Sequence, residues 1–105
     1  MKNDDFTISE EITGELTRFY VKGRVTSVSA NVLQHKLNEA VRENKKDIIV
    51  NMMEVTFLSS AGIKVLLVFF KRAKVEGGSF YVESPSENVV NVLGMTALDE
   101  MLIKQ

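Results

Sequence analysis

The sequence has no cysteine, one proline and one histidine among its 105 residues. Without cysteine there are no disulfides, no thiolate nucleophile and no cysteine-ligated metal. His35 falls on the polar side of a helical pattern, so a transition-metal site or a histidine-based catalytic set has too few members. An excess of one charge is missing too: thirteen Lys and Arg stand against fourteen Asp and Glu, for a net charge of -1. The nearest thing to a basic cluster is Arg42 with Lys45-Lys46, too short for a nucleic-acid footprint. No apolar run approaches the roughly 18 residues of a spanning helix, so membrane insertion is not expected. Met1-Lys2-Asn3-Asp4-Asp5 has no apolar segment behind it and does not read as a signal peptide, which makes the cytoplasm the expected location. Neither GxGxxG nor a Walker-type phosphate loop occurs, and Gly77-Gly78 comes after a helical pattern, where capping explains it. The acidic pairs Asp4-Asp5 and Asp99-Glu100 lie near the ends and resemble solvated termini. These absences predict no enzyme and no bound cofactor.

What is present suits a single globular domain over residues 1–105, with 45% hydrophobic and 26% charged residues. Residues 5–11 and 16–22 alternate as strands about a Thr13-Gly14-Glu15 turn, which predicts an antiparallel hairpin. Gly23 ends the second strand, and Thr26-Ser27 or Ser29 is positioned to cap the first helix. That helix is expected over residues 29–44, with Leu33, Leu37, Ala40 and Val41 on its inner stripe. Ile48-Ile49-Val50 reads as a buried strand, closed by Phe57 and Leu58. A second helix should run from Ser60 to Val75, burying Ile63, Leu66, Leu67, Phe70 and the stem of Lys74 until Gly77-Gly78 stops it. Phe80-Tyr81-Val82 makes a short strand. Ser84-Pro85-Ser86-Glu87 begins a third helix through Val89, Val90 and Leu93 to Gly94, with Pro85 in its first turn. Leu98 to Ile103 is a short terminal element of undefined type. The order ββαβαβα, with helical crossovers after the hairpin, predicts an α/β fold built on one mixed sheet.

Leu58-Ser59-Ser60-Ala61-Gly62-Ile63 stands out because two hydroxyls and a glycine separate two apolar runs. A serine where a strand enters a helix is a preferred N-cap, and one hydroxyl can satisfy the free amides there. The same amides and the helix dipole also favour an anion. A phosphoryl group on Ser60 would feel that field, with Lys64 one turn along the same face. Gly62 leaves room for a partner's backbone. On the second helix, Ala61, Val65, Val68 and Arg72 form a further stripe opposite Ile63, Leu67 and Phe70, with Phe69 beside it. Such a stripe either is buried on both sides or is an exposed protein-binding patch.

The sequence resembles STAS domains, specifically the bacterial anti-sigma factor antagonist family. The resemblance rests on Val21-Lys22-Gly23-Arg24-Val25, on Ile48-Ile49-Val50-Asn51-Met52, and above all on the segment from Val55 to Leu67 around the serine turn. Gly77-Gly78, Ser84-Pro85 and the segment from Val92 to Leu98 complete it. It implies a partner-switching protein that binds an anti-sigma factor which is also a serine kinase, with Ser60 the phosphoacceptor and Ser59 the less favoured one. It also implies a PP2C-type phosphatase that restores the binding form. Thr26, Ser27, Ser59, Ala61, Gly62, Lys64, Val65 and Val68 are the expected partner-binding residues. Two positions depart from the family's pattern: Ser59 and Thr26 stand where aspartate is common, and both changes remove negative charge. The alternative is a non-phosphorylated STAS subunit of an ABC-type transport or lipid-trafficking complex.

Overall fold

The computed structural model describes residues 6–103. Its elements are β1 (Thr7–Thr13), β2 (Leu16–Val25), α1 (Ser27–Arg42), β3 (Asp47–Leu58), α2 (Ser60–Glu76), β4 (Ser79–Glu83), α3 (Glu87–Met95) and α4 (Asp99–Leu102). The predicted hairpin is present: β1 and β2 are antiparallel, while β2–β3 and β3–β4 are parallel. The sheet order is β1-β2-β3-β4, so an α/β fold on one mixed sheet is the observed architecture. Residue 5, where the first strand was expected to begin, lies outside the described residues.

Each boundary has a local cause. Thr26 caps α1, its hydroxyl accepting from the amides of Val28 and Ser29, while Ser29 Oγ accepts from the Thr26 amide at 2.8 Å. This reciprocal box starts the helix at Ser27, two residues before the expected start at 29. The helix stops at Arg42 rather than 44, because Asn44 turns left-handed at φ 64°, a conformation asparagine tolerates. Gly77 ends α2 with φ 79°, and Gly78 then passes so close to the Lys46 carbonyl that a Cβ there would collide with it. Pro85 does not enter the first turn of α3. Ser86 is the N-cap, accepting from the Val89 amide at 3.2 Å, and the proline precedes it.

The strand β3 continues past its β-branched run to Leu58, the close expected from Phe57 and Leu58. Its pairing with β2 shifts register between Tyr20 and Lys22 and again between Gly23 and Arg24. Each shift inserts one extra residue on the β3 side, a bulge that re-aims the side chains beyond it. Met52, Val55 and Leu58, three apart, thereby all reach the helix-covered face and are buried. There they meet Phe19, Val21 and Val25 of β2 and the inner residues of the helices, Leu33, Leu37, Leu66, Phe69, Val89 and Leu93. The opposite face of the sheet stays open, with Arg18 half-buried and Tyr20, Lys22 and Arg24 exposed along β2. The terminal segment resolves into α4, whose Leu102 is fully buried, after which Ile103 bridges Val82 in parallel.

The buried face of α2 differs from the expected one. Gly62, Val65, Leu66 and Phe69 are buried, whereas Ile63, Leu67 and Phe70 are only partly covered. Lys74 stays exposed, its ammonium 5.4 Å from the Phe70 ring centroid. The cause is the neighbouring helix: Arg72 Nη1 donates to Asn38 Oδ1 of α1 at 3.1 Å, so the stripe carrying Ala61, Val65 and Arg72 lines a helix–helix seam. A helix packed on a sheet and on a neighbouring helix buries a wider arc than a single apolar stripe.

Candidate functional site

The strands β2 and β3 run parallel, and their last residues, Val25 and Leu58, are register partners. Each strand passes into a helix through one residue, Thr26 or Ser59. The two helix starts therefore lie side by side at one edge of the molecule, stitched by the Ser59 amide donating to the Val25 carbonyl at 2.9 Å. Neither first turn contains an acidic residue. Two positive helix ends converge with no carboxylate of their own to offset them.

Within this edge the two serines are divided by their hydrogen bonds. Ser59 is extended, at φ -81° and ψ 169°, and its hydroxyl accepts the Gly62 amide at 3.1 Å. It is the N-cap. Ser60 is exposed in the first helical position, and among the described residues its hydroxyl makes no hydrogen bond. Thr26 spends its hydroxyl on the α1 cap, while Ser27 beside it is exposed. Lys64 is exposed one turn beyond Ser60. A nucleophilic hydroxyl on a fixed, solvent-facing turn with a cation one turn away is a good acceptor for a transferred anionic group.

Two expected partner-binding residues, Val65 and Gly62, are placed differently, while Val68 is exposed. Val65 is buried, at 8% exposure, because the seam with α1 covers it, so it presents no docking surface. Val68 keeps 44% of its surface exposed. Gly62 does not leave space for a partner. A Cβ there would meet Leu58 Cδ1 at 2.7 Å and Val25 Cγ1 at 2.8 Å, so the space it frees is taken by the chain's own strand ends. The glycine lets α2 start close against the sheet and fixes the turn. Ala61 is half-buried behind it.

One pair near the turn was not singled out from the sequence. Arg24 and Phe57 are register partners on the open sheet face, with the guanidinium 4.7 Å from the ring centroid. Phe57 is 40% exposed and sits two residues before the Ser59 cap. Alternation along β2 places Arg24 outward, but the bulges in β3 hide from the sequence that Phe57 joins it. Asn88 closes the same edge from α3, its Nδ2 donating to the Thr56 carbonyl at 3.0 Å.

The perturbed titrations lie elsewhere, on the open sheet face. Burial raises the Glu83 carboxyl, but hydrogen bonds from Asn51 and Arg18, with the Arg18 charge, outweigh it and hold the group below its ordinary range. Arg18 is raised in turn, first by its hydrogen bond to Glu83, with Nε 2.8 Å from the carboxylate. Tyr20 is raised mainly by donating to Glu11 at 3.0 Å. This network ties strands together. It does not reach the serine turn. No helix among the described residues is long and apolar enough to cross a membrane.

Comparison with known proteins agrees with this architecture. The chain is 29% identical over 82 residues to the anti-sigma-B factor antagonist of Bacillus subtilis (strain 168), an alignment covering 78% of this chain and 74% of that protein. Among solved structures, an anti-sigma factor antagonist from Mycobacterium paratuberculosis superposes with a TM-score of 0.84 at 21% identity, covering 97% of this chain and 87% of that one. The anti-sigma factor antagonist SpoIIAA in its unphosphorylated form superposes with a TM-score of 0.79 at 19% identity, covering 95% of this chain and 87% of that one. At those identities the solved structures establish the fold. The STAS domain model matches residues 7–105, nearly the whole chain, and the protein therefore belongs to the STAS domain family.

Proposed function

We propose that this protein is an anti-sigma factor antagonist without catalytic activity of its own, switched by reversible phosphorylation of Ser60. In this reading the unmodified protein binds an anti-sigma factor that is also a serine kinase, in the cytoplasm, and so frees a sigma factor. Phosphorylation by that kinase ends binding, and a PP2C-type phosphatase restores it. The observation that carries the reading is the division of labour at the turn: the Ser59 hydroxyl is committed to the α2 cap, while the exposed Ser60 hydroxyl is free. The relatives support it, since SpoIIAA has been solved in both unphosphorylated and phosphorylated forms.

The physical logic is local. A phosphoserine carries a charge of about -1.5 to -2 at neutral pH. At Ser60 the α2 dipole and Lys64 stabilise that charge on the protein itself, so the modified form is not strained. Against a docked partner the added charge, together with the Lys64 ammonium it draws on, has to be desolvated, which disfavours the complex. Gly62, packed against Val25 and Leu58, keeps the turn in one place.

The test is incubation with ATP and each candidate anti-sigma kinase, read by intact mass and then tandem mass spectrometry. One phosphoryl group is expected, on Ser60. Phosphate confined to Ser59, or none with any candidate, rejects the reading. With the kinase in hand, Ser60→Ala should bind it within about threefold of wild type, since one exposed hydroxyl contributes little. Ser60→Asp should bind at least tenfold more weakly, as calorimetry on the purified pair will show.

A further inference from the structure

The charges of this nearly neutral chain are unevenly placed. Between Glu54 and Glu76 there is no aspartate or glutamate, so the cations of α2, namely Lys64, Lys71, Arg72 and Lys74, meet no carboxylate on their own helix before its last residue. Ser60, Lys64, Val68, Lys71 and Val75 recur at helical spacing and form one line along the outward side of α2. All five are exposed, Val75 at 86% and Val68 at 44%. Neither Lys64 nor Lys71 forms an ion pair among the described residues. At about 1.5 Å per residue the line runs roughly 22 Å from the serine turn. It alternates a cation with a small apolar side chain, and it begins at the one hydroxyl the turn leaves free.

We propose that this outward face of α2 is a docking surface for an acidic protein surface, whose carboxylates meet Lys64 and Lys71 while Val68 and Val75 supply the apolar contact. That the partner is the switching kinase rests on the function proposed above; the chemistry of the surface does not. Complementary charge across a protein interface sets partner choice and encounter rate. Duplex DNA fits less well, because a whole-chain charge of -1 opposes a polyanion and one helix-wide line offers few phosphate contacts. A lipid surface fits less well because the apolar side of α2 is already spent on the chain's own core, where Leu66 and Phe69 are buried. The surface also gives the switch its sign. A phosphoryl group on Ser60 draws on Lys64 and repels incoming carboxylates, so modification and docking compete for the same cation.

The surface is testable on the protein alone. Amide chemical shifts are followed during titration with poly-L-glutamate, a DNA duplex and phosphatidylglycerol vesicles at equal anion concentration. Poly-L-glutamate should move the resonances of residues 60–75, the shifts should shrink on adding salt, and they should vanish in the double variant Lys64→Glu/Lys71→Glu. That variant should melt like wild type, since both side chains are exposed. Shifts centred elsewhere, shifts that survive the double variant, or tighter binding of the duplex or the vesicles would overturn the proposal. Once a kinase is identified, the double variant should bind it at least tenfold more weakly. If the double variant weakens binding while Ser60→Asp does not, the docking surface stands and the phosphorylation switch falls. If Ser60→Asp weakens binding and the double variant does not, the docking surface falls.

Discussion

Thr17 carries a hydroxyl that is fully buried in β2 and meets no hydrogen-bond partner among the described residues. Its neighbour across the ladder is Ile48, on the face that the helices cover. An unpartnered buried hydroxyl costs about 1–3 kcal/mol of desolvation, and a methyl group of nearly the same size avoids that cost. Thr17→Val should therefore stabilise the protein by about 1 kcal/mol, seen as a melting temperature higher by several degrees. A lower melting temperature would mean that the hydroxyl has a partner after all. The same accounting separates Ser59 from Ser60. Ser59 as the cap was legible in the sequence, and the Gly62 amide donating to its hydroxyl is the bond that makes it so.

Elements with a clean period were legible in the sequence nearly as they stand. The hairpin, the first helix and β4 fall within a few residues of their expected places because alternation or a single apolar stripe marks each one. Two elements hide part of their packing from the sequence, for physical reasons. In β3 the bulges break the period of two, so Met52, Val55 and Leu58 do not look like residues of one face. In α2, apolar side chains occupy most of the circumference, and the sequence does not tell which part faces the sheet. In the structure Val65 is core and Val68 stays 44% exposed. Val65→Glu should then cost several kcal/mol, on the order of an unpaired buried charge, and remove the thermal transition of so small a domain. Val68→Glu should keep the transition and weaken partner binding by adding a like charge opposite the carboxylates proposed to dock there. Melts run beside binding assays check both. A normal melt for Val65→Glu would show that the seam with α1 opens readily.

Across the whole molecule, two faces of the sheet carry different kinds of cohesion. The helix-covered face is apolar, whereas the open face is held by Arg18 reaching Glu83 across the intervening β3, with Asn51 donating to the same carboxylate at 2.9 Å. Because Glu83 titrates lower when folded than its ordinary value of 4.5, the unfolded chain takes up that proton first as pH falls. The contribution is fully present above about pH 4.5 and is lost as pH drops through the folded value. Glu83→Gln should thus lower the melting temperature at pH 7 and flatten its decline on the acid side. A decline as steep as that of wild type would remove Glu83 from the account. The open face has a further consequence for anyone watching the protein by its own light. There is no tryptophan, and of the two tyrosines, Tyr20 stands exposed on β2 on that side. Emission from Tyr20 will report on the hairpin, where its hydroxyl donates to Glu11. Phe57, half-exposed two residues before the Ser59 cap and beneath the Arg24 guanidinium, is the position from which an introduced indole would report on the serine turn.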